Sequence, residues 1–175
     1  MLARVVYESM FGNTAAIAGA IAEGLRAYAT VEVMDVAAAA QMSAVQVDLL
    51  VVGAPTHAFG LSRPRTRRDA AERTTAAVAV DIGVREWLDA AFTVPAGSRA
   101  AAFGTKAATP AWLPGSAARG VAKRLRRSGY ELADDPMDFL VTDMTGPLAD
   151  GELERARAWA QRLACAELDR VAHRS

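Results

Sequence analysis

Apolar residues fall in short unbroken runs along this chain, and between the runs they recur at three- and four-residue spacing. Ala3 to Tyr7, Val31 to Val36, Asp48 to Gly53, Arg99 to Phe103 and a run centred on Phe139 to Val141 read as five strands. Their near-continuous hydrophobicity suits strands buried on both faces, as in a parallel sheet covered by helices. Thr14 to Tyr28 places Ile17, Ile21, Leu25 and Tyr28 on one helical face. Ile82 to Ala91 predicts a helix with Trp87 and Leu88 inward, and Ser116 to Ser128 a basic amphipathic helix with Val121 and Leu125 on one side. Asp150 is expected to cap a last helix whose first turn holds Glu152 and Glu154, where the helix dipole favours acids. Strand and helix alternate, which predicts a doubly wound α/β sandwich with right-handed crossovers. Ligands of such sheets bind beyond the carboxyl ends of the strands, so the loops after the first, third and fourth runs become the places to search. Ala54 to Ala77 follows neither period and grows rich in Arg.

Composition narrows the field. The length of 175 residues fits one domain, and 52% hydrophobic content supports a large core. Twenty basic residues balance twenty acidic ones, against the basic excess of a general nucleic-acid binder. One cysteine, Cys165, cannot form an internal disulfide, and a buried inert thiol is expected there. No apolar stretch is long enough to span a bilayer and no secretory pattern is visible, so the expected location is the cytoplasm, away from membranes.

The loop Ser9-Met10-Phe11-Gly12-Asn13-Thr14 leaves a strand and opens a helix, where bare amides carry partial positive charge and welcome an anion. Ser9, Asn13 and Thr14 add neutral donors, and the loop has no Lys or Arg. A Walker loop would need Gly-Lys-Ser/Thr where Gly12-Asn13-Thr14 stands. A dinucleotide fingerprint would need three glycines, although Asp35 ends the second strand where a ribose-binding acid would sit. A phospho-acceptor receiver would need an Asp where Gly53-Ala54-Pro55 stands.

The first loop resembles the phosphate loop of the flavodoxin family, and Gly53-Ala54-Pro55-Thr56-His57-Ala58-Phe59-Gly60 resembles that family's Gly-x-Pro-Thr-aromatic-Gly loop with residues inserted. The likeness extends over nearly the whole chain and is nearest to actinobacterial flavodoxin-domain proteins with a Pro-Thr-His-Ala-Phe-Gly loop. It implies a flavodoxin-like sheet of order 2-1-3-4-5 with helices on both faces, and non-covalent flavin mononucleotide (FMN). Ser9, Met10, Phe11, Gly12, Asn13 and Thr14 would then hold the phosphate. Pro55, Thr56, His57, Ala58, Phe59, Gly60, Gly104, Thr105, Lys106 and Trp112 would surround the ring, with His57 or Phe59 as a stacking face and Lys106 raising the potential. No catalytic acid, base or metal is implied. The family implies a redox carrier between protein partners or a small NAD(P)H-dependent reductase of quinone-like substrates; the alternative is a binding or regulatory module on the same fold without flavin. The run Arg63, Arg65, Arg67 and Arg68 reads as a solvated helix start paired to Asp69 and Glu72, or else as a dock for an acidic partner or a nucleotide phosphate.

Overall fold

The structure is a computed structural model that describes residues 1–42, 46–57, 60–75, 77–90, 94–108 and 115–173. In chain order the elements are β1 Leu2–Tyr7, α1 Asn13–Leu25, β2 Thr30–Asp35, α2 Val36–Ala40, β3 Leu49–Pro55, α3 Pro64–Ala71, α4 Val84–Asp89, β4 Arg99–Ala107, α5 Ala117–Arg127, β5 Glu131–Leu132, β6 Met137–Val141 and α6 Glu152–Ala172. The strands form one parallel sheet in the order β2-β1-β3-β4-β5, with β6 also paired to β4. The expected order 2-1-3-4-5 therefore holds, with the fifth place shared by two short strands.

The central strands β1, β3 and β4 are buried on both faces, which is why they read as continuous apolar runs, whereas the edge strand β2 is partly exposed. Successive side chains of a strand point to opposite faces. Val5, Leu49, Val51, Ala101 and Phe103 meet Ile17, Ile21 and Leu25 of α1 and Trp159 and Leu163 of α6. Val6, Leu50, Val52, Ala100 and Ala102 meet Val36 of α2, Val84 and Leu88 of α4, and Val121 and Leu125 of α5. At about 25 cal/mol per Å² of apolar area removed from water, these two layers are the main source of stability.

Several local expectations are corrected. β2 stops at Asp35 rather than Val36, because the Asp35 carboxylate accepts a hydrogen bond from Ala38 N at 2.7 Å and starts α2. The fifth strand is broken between Leu132 and Met137, where Pro136 has no amide to donate and Asp134 turns to accept the Trp159 indole N–H at 2.9 Å. α6 is entered through Gly151 in a left-handed conformation, φ 81°, so Asp150 does not cap it. Glu152 folds back instead and accepts from Leu140 N at 2.6 Å. Cys165 is exposed rather than buried, since Leu163 and Ala164 occupy the inward face of α6 and Cys165 is rotated off it.

Candidate functional site

The carboxyl ends of β1, β3 and β4 lie side by side, since β3 pairs with both β1 and β4. At the first, Met10 is buried and pins the loop to the core. Gly12 then turns left-handed, φ 88°, and α1 begins with no side chain capping it. A β-carbon added at Gly12 would meet nothing within 4 Å, so the turn borders open space. Ala16 N donates to Gly12 O at 2.9 Å, and Ala15 N reaches Ser9 Oγ at 3.3 Å. Among the described residues, the amides of Phe11, Gly12, Asn13 and Thr14 have no protein acceptor. A cleft of about 200 Å³ opens beside this turn, lined in part by Ser9, Met10, Gly12, Asp35 and Ala79. Among the described residues no Lys or Arg lines it, and its two carboxylates are those of Glu8 and Asp35. The donor set therefore suits a phosphate ester held by neutral amides and the helix dipole.

Two side chains expected to face a ligand here also brace the scaffold. Thr14 is buried, and its hydroxyl lies 2.8 Å from that of Thr105, tying the first loop to the third. The Asn13 amide donates to Thr145 O at 3.0 Å.

The second loop continues the sheet for one residue. Thr56 N donates to Thr105 O at 2.8 Å, while Thr56 Oγ1 accepts from Ala117 N at 3.0 Å and caps the start of α5. Pro55, half-buried, pairs in register with Thr105. His57 and Gly60 then close on each other, His57 N to Gly60 O at 2.7 Å and Gly60 N to His57 O at 2.8 Å. His57 and Gly60 thus form an isolated antiparallel bridge. Ala58 and Phe59, between them in the sequence, lie outside the described residues. Burial, helped by the Arg67 charge, holds the His57 imidazole below its ordinary value, and its buried Nε2 has no partner.

In the third loop Gly104 permits a close approach. A β-carbon there would lie 2.8 Å from Ala118 N and 2.9 Å from Asp138 Oδ1. Lys106 stands 3.7 Å from Asp138 Oδ2, so its charge is partly answered within the protein. Trp112 lies outside the described residues.

Sequence reasoning missed a buried polar cluster behind these loops. Glu8 and Ser62 are both buried, and Ser62 Oγ donates to Glu8 Oε1. Val84 N donates to Glu8 Oε2 at 2.8 Å. Arg67 donates to Ser62 Oγ at 3.0 Å and Val80 O at 3.0 Å, and pairs with Glu86 at 3.1 Å. Arg67 is completely buried, which corrects the reading of the whole Arg run as solvated; its carboxylate partner is Glu86, not Asp69 or Glu72. The one sequence signal is that Arg67 shares its inward face with Ala70, three residues on. The cluster latches segment 61–84 across the end of β1.

Burial raises the Glu8 carboxyl above its ordinary value of 4.5, although Ser62, Val84 N and Arg67 pull it down and Glu86 adds to the rise. A carboxyl raised on folding favours the native state while protonated, and that contribution is lost as pH rises through the raised value. Urea midpoints are therefore expected to fall as pH climbs from 4.5 through the folded-state value of Glu8, and Glu8→Gln should flatten that slope. An unchanged slope in the variant would rule Glu8 out as its source.

Comparison with known proteins agrees with this architecture. A profile of the flavodoxin family, described as Flavodoxin, matches residues 5–81. The fold is similar to a Streptococcus pneumonia TIGR4 flavodoxin, with TM-score 0.65, 20% identity, 94% of this chain and 99% of that one covered. It is similar to oxidised Flavodoxin 2 from Bacillus cereus, with TM-score 0.62, 21% identity and coverage of 97% and 99%. A flavone reductase also matches, with TM-score 0.60, 14% identity, 97% of this chain and 64% of that one covered. No curated protein matches the sequence. Among the described residues, no helix is long and apolar enough to cross a membrane, and no cluster of metal-ligating side chains occurs.

Proposed function

We propose that this flavodoxin-like chain holds FMN at the carboxyl ends of β1, β3 and β4 and acts as a redox protein. The observation that carries the reading is the row of acceptor-free amides from Phe11 to Thr14 beside the open turn at Gly12. A phosphate there would be bound without a counter-cation, by the amides, the Ser9 hydroxyl and the dipole of a thirteen-residue helix. Pro55, Thr56, His57 and Gly60 on one side and Gly104, Thr105 and Lys106 on the other would flank the ring. FMN supplies the transfer of one or two electrons. The chain's own part is to bind and orient the ring and to set the field around it. The Lys106–Asp138 pair leaves that field less positive than Lys106 alone would make it.

Whether the physiological use is a carrier between proteins, in the cytoplasm, or an NAD(P)H-dependent reductase of quinone-like substrates is the finer part of the proposal; NADPH oxidation with a quinone separates the two. One observation favours the second reading, a binding or regulatory module without flavin: the reciprocal His57–Gly60 bonds occupy four backbone groups, two N–H and two C=O, in the loop that would face the ring.

One titration decides between the readings. Adding the purified chain to FMN is expected to quench flavin fluorescence with one-to-one stoichiometry. At a hundredfold excess over Kd, FMN should stabilise the fold by about 2.7 kcal/mol. Neither quenching nor a thermal shift would leave only the module.

A further inference from the structure

Besides the buried Arg67, nine of the chain's twenty basic residues are carried by α5, by α4 and by α3 with its N-terminal flank. From Lys106 to Tyr130 the sequence has no acidic residue, whereas α5 carries Arg119, Lys123, Arg124, Arg126 and Arg127. α3 and its N-terminal flank add exposed Arg63, Arg65 and Arg68. These two groups meet at Arg85 on α4. Its guanidinium donates to Ser62 O at 3.1 Å and Leu61 O at 2.9 Å, directly after Gly60. Burial, then the charges of Arg124 and Arg63, hold Arg85 below its ordinary value, although Glu86 and Asp89 pull it back up. Asp89 answers Arg124 at 3.0 Å and reaches Arg127 at 4.0 Å. Among the described residues, no carboxylate pairs with Arg63, Arg65, Arg68, Arg119, Lys123 or Arg126.

A zero net charge hides this polarity. The stretch after Tyr130 is acid-rich, with its carboxylates on β5, β6, their flanking turns and α6, while α3 and α4 add only Asp69, Glu72, Glu86 and Asp89 to the basic side. Like charges held together with too few counter-ions cost free energy that an oppositely charged surface recovers on docking. An eleven-residue helix is about 16 Å long, too long for one phosphate group to engage its cations together. The start of α5 is also the element that Thr56 caps, so the basic face borders the second loop.

We infer that the joint face of α3, α4 and α5 is a docking surface for an acidic electron-transfer protein, placed so that the partner's redox centre approaches beside Thr56, Leu61 and Ser62. The inference takes the partner's redox character from the proposed function; its charge comes from the surface alone.

The test uses the purified chain, with and without FMN, and three probes: an acidic [2Fe–2S] ferredoxin, a basic c-type cytochrome, and NADPH. Calorimetry at rising KCl should show the ferredoxin binding, weakening steadily with salt, whether or not FMN is present. Reversing four charges (R119E, K123E, R126E, R127E) should cut that affinity by at least about tenfold. Replacing the three arginines by lysine should leave it within about threefold, which separates charge from misfolding. Preference for the cytochrome, salt-independent binding, or indifference to the charge reversal would overturn the inference. NADPH binding lost in the reversed variant while ferredoxin fails to bind would overturn it too, making this a nucleotide-phosphate site. FMN titration of the same samples reports separately on the flavin reading.

Discussion

Replacing Gly12 with valine is expected to weaken FMN binding by about a hundredfold while costing the fold only about 1–2 kcal/mol. The two effects separate because of where Gly12 sits. Its φ of 88° is open to glycine and strained for a β-branched residue, so the turn must rotate to relieve the strain. Rotation re-aims the amides of Gly12, Asn13 and Thr14, the groups proposed to hold the phosphate. The fold itself has little to lose, because a β-carbon there touches nothing within 4 Å. Gly12→Asn sharpens the experiment. Asparagine visits this region readily, so thermal stability should return toward that of the parent chain. Its side chain nevertheless fills the space a phosphate would take, so FMN affinity should stay low. Equal affinity in the parent and both variants would show that the start of α1 is not where the phosphate binds.

The same turn marks the limit of what could be read from the sequence. Strands covered on both faces announce themselves as apolar runs, and β1, β3 and most of β4 lie within two or three residues of their expected ends. Ile17, Ile21 and Leu25 placed α1 correctly because one long helix covers one core. What failed were features decided by single long-range bonds. The break between β5 and β6 depends on Asp134 finding the Trp159 indole, a partner on α6. The entry to α6 depends on Glu152 reaching Leu140 N, which displaced Asp150 from the capping role. At the site, the acceptor-free amides of the first loop were legible, because a loop that opens a helix leaves its first N–H groups without intrahelical acceptors. That Thr14 and Thr105 would bond to each other was not, since nothing local to either residue records their 2.8 Å approach. Arg67 was the least legible. Its neighbours Arg63, Arg65 and Arg68 are exposed, and only packing against Ser62, Val80 and Glu86 turns it inward.

That burial makes Arg67→Met the substitution with the largest expected cost to the fold, about 3 kcal/mol. Methionine preserves most of the volume, so the loss is electrostatic rather than a cavity. Ser62 Oγ and Val80 O lose a donor, and Glu8 loses the nearby cation that pulls its carboxyl down. Glu86 is partly exposed, so water compensates some of its loss, which keeps the figure at the lower end for a broken buried pair. For a chain of this size the midpoint of thermal unfolding should fall by about 6–12 °C. The double variant with Glu8→Gln should recover part of the loss, because the group most penalised by removing Arg67 no longer carries charge. Recovery is the informative measurement, since strictly additive effects would mean that Glu8 and Arg67 do not act as a unit. The consequence then extends to the site. With the latch weakened, segment 61–84 is held less firmly across the end of β1, and Ala79 lines the cleft beside Gly12. FMN affinity should therefore fall in Arg67→Met and return with the double variant, in step with stability. A Gly12 variant, by contrast, should lose affinity out of proportion to stability, and that contrast distinguishes a residue that supports the site from one that forms it.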